Sequence, residues 1–169
     1  MKIGLNIKLG IIAGLINCIA WYYFALSFTF YSLNIEQYRY YVTLLLLLMG
    51  IFISVFFERK KNKGFIEFKD AVKYGIIYTI TLAIILAIFN YLYYKFIAID
   101  AIDYFVNEAK KVMIIGKVKN EDIVKNLENV KSYFGSFRVL MSTIILGVLF
   151  SLLAGAIFRK KDPHVFSAN

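Results

Sequence analysis

The sequence predicts an all-α, polytopic membrane protein in a single domain over residues 1–169. It would have four transmembrane helices, a cytoplasmic amphipathic helix and an outer two-helix segment. Two observations predict this class. The chain is 60% hydrophobic and only 18% charged, whereas soluble domains run at about half apolar and about a quarter charged. The apolar residues also gather into four long runs. These runs are continuous rather than alternating, which excludes a membrane barrel.

A helix needs about 20 apolar residues to cross the hydrocarbon core. The expected spans cover about residues 9–29, 41–57, 72–96 and 137–158. The second contains "VTLLLLLMGIFISVFF", which carries no charge. Each central Leu, Ile, Phe or Val contributes about −0.3 to −0.6 kcal/mol to insertion, so this run strongly favours the membrane.

Lys and Arg set the expected orientation. Lys2 and Lys8, then Arg59, Lys60, Lys61, Lys63, Lys69 and Lys73, then Arg159, Lys160 and Lys161 all fall on one side. The other side has Arg39, Lys95, Arg138 and six lysines within 98–136, where six acidic residues cancel them. The denser basic side should be cytoplasmic, placing both termini inside. Arg59, Lys60, Lys61 and Lys63 are then candidates for binding anionic lipid headgroups, at about 1 kcal/mol per basic residue. The clusters "YRYY" and "NYLYYKF" fall at the outer interface, which suits tyrosine. No nucleic-acid-binding motif accompanies the net charge of +9, so membrane lipids are the expected partners and nucleic acid is not.

The connections differ in length. Residues 31–40 form a short outer turn. Residues 98–136 form a long outer segment in which Ile102, Phe105, Val106, Ala109, Val112 and Met113 recur at helical spacing. Ile123, Leu127, Val130 and Phe134 do the same, with Gly116 ending the first helix and Asn120 capping the second. Each helix has one apolar stripe, which must bury against the other, the membrane or a partner.

Within the spans, Gly10 and Gly14 are four apart, and Gly147, Ser151 and Gly155 repeat that spacing. Small residues at this interval let helices approach closely, either within the bundle or against another membrane protein or a second copy of the chain. Asn17 and Asn90 are intramembrane amides, suited to an interhelical hydrogen bond or to a polar path. Cys18 is the sole cysteine, which excludes an intrachain disulfide and any multi-cysteine metal site. The continuation of the first apolar run beyond it argues for a retained N-terminal helix. No catalytic motif, cofactor motif or metal-ligand set is present. His164 sits in a polar tail, and Glu67 and Asp70 read as surface charges among lysines.

In "GFIEFKDAVKYG", residues 64–75, Phe65, Phe68, Val72 and Ile76 lie toward one helical face, with Glu67, Asp70 and Tyr74 toward another. This predicts an amphipathic helix over 64–76 on the cytoplasmic surface. The stretch resembles the Ser/Gly-Phe-x-x-Phe-Lys-x-Ala-x-x-x-Gly pattern of a bacterial membrane family, domain-of-unknown-function family 4199, at Phe65, Phe68, Lys69, Ala71 and Gly75. "KLGIIAG", "LLAGAIFRKKDP" and the Glu/Lys-rich segment before the fourth span are similar to it as well. The likeness covers about residues 5–162. A proline that the family places near the start of the outer segment is missing here. The resemblance implies a four-helix bacterial inner-membrane protein of no known activity, so no catalytic residue is carried over.

The resulting expectation is a non-enzymatic accessory or assembly subunit acting through helix–helix contacts. The alternative is a small carrier or lipid-flipping protein, which requires a polar cavity containing Asn17 or Asn90 and open to one leaflet.

Overall fold

Continuous apolar runs become long helices because, in lipid, a helix satisfies its backbone polar groups internally. The computed structural model describes residues 4–27 and 33–160, with side chains over 4–23 and 38–160. Among these residues six α-helices follow in order: α1 (Leu5–Ser27), α2 (Leu33–Lys61), α3 (Phe68–Leu92), α4 (Ala101–Ile115), α5 (Asn120–Tyr133) and α6 (Ser136–Phe158). A π-helical turn, Tyr93–Ile97, extends α3. The stretches Leu5–Tyr23, Tyr38–Lys61, Phe68–Ile97 and Ser136–Phe158 are each long and apolar enough to cross a membrane, the pattern of a multi-pass membrane protein. Lys2, the end of the first expected span near Thr29, Lys161 and His164 lie outside the described residues.

Helix α3 is the hub and packs against α1, α2 and, most extensively, α6. Its buried face is Ala71, Gly75, Tyr78, Thr79, Leu82, Ala83, Leu86 and Asn90. Within that face, Ala71, Gly75, Thr79 and Ala83 form a small-residue stripe at four-residue spacing. It meets the stripe of α6: a Cβ at Gly147 would collide with Thr79, and one at Gly75 with Ser151. On another side, a Cβ at Gly10 would come within 2.8 Å of Thr81, and one at Gly14 within 2.8 Å of Ile85. Apolar burial gives little drive between helices in lipid, so this close backbone approach is what holds them together.

Among the described residues, Tyr78 is the largest fully buried side chain. It reaches across to α2, donating from its hydroxyl to Leu46 O at 2.8 Å, and fits because Gly50 leaves room for the ring.

One end of the bundle gathers the start of α1, the α2–α3 connection and the end of α6. Ser54 Oγ donates to Asn6 Oδ1 at 2.6 Å, joining α2 to α1. The connection turns through Lys63 and Gly64, both at positive φ (55° and 90°), a region glycine enters without a steric penalty. Ile66 then pairs antiparallel with Lys160, with N–O distances of 3.0 and 2.9 Å.

This corrects the expected surface helix over 64–76. Residues 64–67 are not helical, Glu67 is the extended cap residue, and α3 runs unbroken from Phe68 into the membrane. The reason is Ile66, whose side chain is buried in the core while its backbone is held by Lys160.

At the other end, α4 and α5 lie against the end of α3. Phe105 stacks on Phe134 with ring centroids 5.2 Å apart, and both join Tyr93, Ala98 and Ala101 in a second apolar cluster. The two stripes therefore bury against each other and the π-helical turn. Val112, expected on the buried stripe, is instead 68% exposed. Gly116 is the C-cap of α4 as expected, while Lys119 rather than Asn120 occupies the cap position of α5.

Candidate functional site

The sole tryptophan and the first arginine of α2 build this end of the bundle. Arg39 is only 3% exposed. Its guanidinium carbon lies 3.1 Å from the centroid of the Trp21 ring and 5.2 Å from that of Tyr93. Its Nη1 donates to the Tyr94 hydroxyl at 3.0 Å. A desolvated cation over an aromatic face gains about 2 kcal/mol, which helps offset the cost of holding a charge within a span. The π-helical turn at Tyr93–Ile97 matters here, since such turns re-aim side chains and often occur at functional sites.

Asn90, one turn earlier on α3, is buried. Its Nδ2 donates to Phe134 O at 2.8 Å and to Ser136 Oγ at 3.3 Å. That bond fixes the corner between α5 and α6 above the bundle. Asn17 on α1 donates to Thr43 Oγ1 at 2.9 Å, and Thr43 in turn donates to Arg39 O at 2.9 Å.

Between these groups is a cavity of about 270 Å³. Trp21 closes it from α1, and Asn90 and Tyr94 from α3. Arg39, Tyr40, Thr43, Leu44 and Leu47 line it from α2, with Arg138, Val139, Ser142, Thr143 and Leu146 from α6. Tyr133 and Phe134, at the end of α5, cover the top. The exposed lining residues, Tyr40, Tyr133, Arg138 and Ser142, place the mouth between α2 and α6 beside the end of α5. The guanidinium carbon of Arg138 sits 4.7 Å from the Tyr133 ring centroid. No carboxylate lines the cavity among the described side chains. Trp21 Nε1 and Asn17 Oδ1 are buried near it with no hydrogen-bond partner among the described residues.

A family model described as "Protein of unknown function (DUF4199)" matches residues 8–160, nearly the whole chain. The chain belongs to this family. No curated protein and no solved structure matches the chain, and the chemistry of this DUF4199 member therefore rests on its own geometry.

Of the site candidates named from sequence, only Asn90 lines the cavity directly, with Asn17 behind it through Thr43. Gly10, Gly14, Gly147, Ser151 and Gly155 are elsewhere, facing α3 of the same chain. Lys60, Lys61 and Lys63 are exposed at the opposite end of the bundle, whereas Arg59 braces the turn there by donating from Nε to Gly64 O at 2.9 Å. Glu67 and Asp70 are exposed on the same side, and Cys18 is half-buried in α1. Among the described residues no three His, Cys, Asp or Glu side chains come together in a way that could hold a metal.

Sequence reasoning missed Arg39 and Arg138 as site residues. Their signal was present: each arginine stands beside tyrosine or phenylalanine at the head of an uncharged span, facing the end where the sole tryptophan lies.

Proposed function

We propose that this DUF4199 protein is a non-enzymatic membrane protein that binds one end of an amphiphilic molecule, in the manner of a small carrier or lipid-flipping protein. The observation that supports this reading is the cavity containing Asn90, whose mouth lies between two membrane-spanning helices. Ligand pockets for drug-sized molecules run from about 300 to 1,000 Å³. A site slightly below that range suits one end of a lipid, with the remainder lying in the bilayer along α2 and α6.

Orientation follows from charge. Both termini and the basic α2–α3 connection lie in the cytoplasm of a bacterial inner membrane, so the cavity opens toward the outer leaflet. The test is native mass spectrometry of the full chain released from membranes in a mild detergent. The wild type should carry a tightly held lipid that Leu146→Trp, which fills the cavity, fails to retain. Equal lipid retention in both, or none in either, would contradict the reading.

A second reading, an accessory or assembly subunit, draws support from α4, where Val112, Ile114 and Ile115 are 68%, 57% and 81% exposed. The small-residue faces of α1 and α6 no longer favour it, since α3 takes them up. Crosslinking in native membranes followed by mass spectrometry tests it: a stoichiometric partner joined to α4 is expected, and recovery of the chain alone would count against it.

A further inference from the structure

Helices α2 and α6 both begin at the cavity end and run the same way, and both carry the same three-step ladder into the cavity. On α2 it is Arg39, Thr43 and Leu47; on α6 it is Arg138, Ser142 and Leu146. The spacing is four residues at each step, so each ladder stays near one face of its helix and descends about 6 Å per step. The cavity is thus cationic at its upper level, hydroxyl-bearing in the middle and apolar at the bottom. That order matches a lipid read from headgroup through ester to acyl chain.

Resting on the amphiphile reading above, we infer that the ligand carries a phosphate headgroup, held at the arginine level with its ester region beside Thr43 and Ser142. Three observations favour an anion. The Arg138 guanidinium lines the cavity, and none of the lining residues is a carboxylate. The N-terminus of the 23-residue α6 borders it, with no side chain capping its first turn, and the positive end of that helix faces the same level. Arg138 is exposed at the mouth, and its fork of donors fits phosphate oxygens. Arg39 is held at the same level by its stacking on Trp21 and its bond to the Tyr94 hydroxyl. In the middle step, Ser142 Oγ holds Val139 O at 3.2 Å, a long bond for a hydroxyl, and can exchange it for a ligand ester oxygen.

The shared chemistry, a phosphate monoester or diester, could come from a lipid or from a soluble phosphate ester, and three ligands separate the sources. The full chain in neutral detergent is titrated by native mass spectrometry with phosphatidylglycerol, with diacylglycerol of the same chains, and with glycerol 3-phosphate as competitor. Phosphatidylglycerol should bind about tenfold more tightly than diacylglycerol, the scale of a charge-assisted hydrogen bond. Arg138→Gln should reduce that preference severalfold and Arg138→Lys less, and an undiminished preference in Arg138→Gln would overturn the role given to Arg138. Glycerol 3-phosphate should not compete at concentrations where phosphatidylglycerol saturates.

Equal binding of the two lipids by the wild type would overturn the headgroup assignment while leaving the amphiphile reading intact. Binding of neither lipid would overturn both. Full competition by glycerol 3-phosphate would overturn the lipid as the source of the phosphate.

Discussion

The two halves of the bundle are built from the same four helices and solve packing in opposite ways. In the half nearest the α2–α3 connection, glycine and small hydroxyl residues bring α6 and α1 onto α3, and the hydroxyls of Ser54, Thr79 and Ser151 each have an acceptor at 2.6–2.9 Å. Even the buried Glu58 carboxylate there has Lys61 Nζ 3.7 Å away. In the other half, the residues are larger and cationic, two buried polar atoms lack described partners, and a cavity remains. Close packing leaves nothing for a ligand to do, whereas unmatched polarity at the end of a span marks a place where function can reside.

The largest effect expected from breaking this contrast is at Gly147. Gly147→Val drives a branched side chain into Thr79 at the tightest α3–α6 contact. Overpacking costs about 1–3 kcal/mol and sometimes more, so the melting midpoint in detergent should fall sharply or the protein should aggregate. The neighbouring Leu146→Trp, aimed into the cavity, should lower the midpoint less, by no more than the loss of the bound lipid.

Next is Asn90→Leu, which strips the buried Phe134 carbonyl of its partner and should cost about 1–3 kcal/mol by thermal or denaturant unfolding. A neutral result would mean that the corner above the cavity is held by the aromatic cluster alone. Ser54→Ala tests the packed end in the same assay. Loss of one interhelical hydrogen bond in a membrane averages about 0.6 kcal/mol and reaches about 1.7, so a smaller decrease is expected.

The smallest effect belongs to neither half. Lys111 on α4 donates to Glu108 at 2.7 Å, and this bond holds its ammonium above the ordinary value. A raised pKa contributes only at pH below it, so the pair is constant through the neutral range. Both side chains are solvated, and Lys111→Ala should not move the midpoint measurably.

The four spans were legible because apolar runs of this length have one solution in lipid, and the two helices of the segment 98–136 were legible from their apolar periodicity. The surface helix over 64–76 was misread because Phe65, Phe68, Val72 and Ile76 keep helical spacing through four residues that are not helical. The deciding residue was Ile66, off that face, and its pairing with Lys160 joins positions distant in sequence. The glycines of α1 and α6 were visible, but their common partner on α3 was hidden among aromatic and branched neighbours.

The cavity was the least legible feature. Arg39 and Arg138 look like ordinary interfacial charges along the chain. Only the parallel approach of α2 and α6 turns them into two walls of one site.

The most direct test of the contrast uses two buried hydroxyls on one helix. Thr143 lines the cavity and Ser151 lies in the packed half. Each side chain already bonds the carbonyl four residues back, at 2.7 and 2.6 Å. In a Cys18→Ser background, Thr143→Cys should react with a small water-soluble thiol reagent and be protected by added phosphatidylglycerol, whereas Ser151→Cys should stay unmodified in the folded protein. Equal reactivity at the two positions, or an inert Thr143→Cys, would contradict the division of the bundle into a dry half and a binding half.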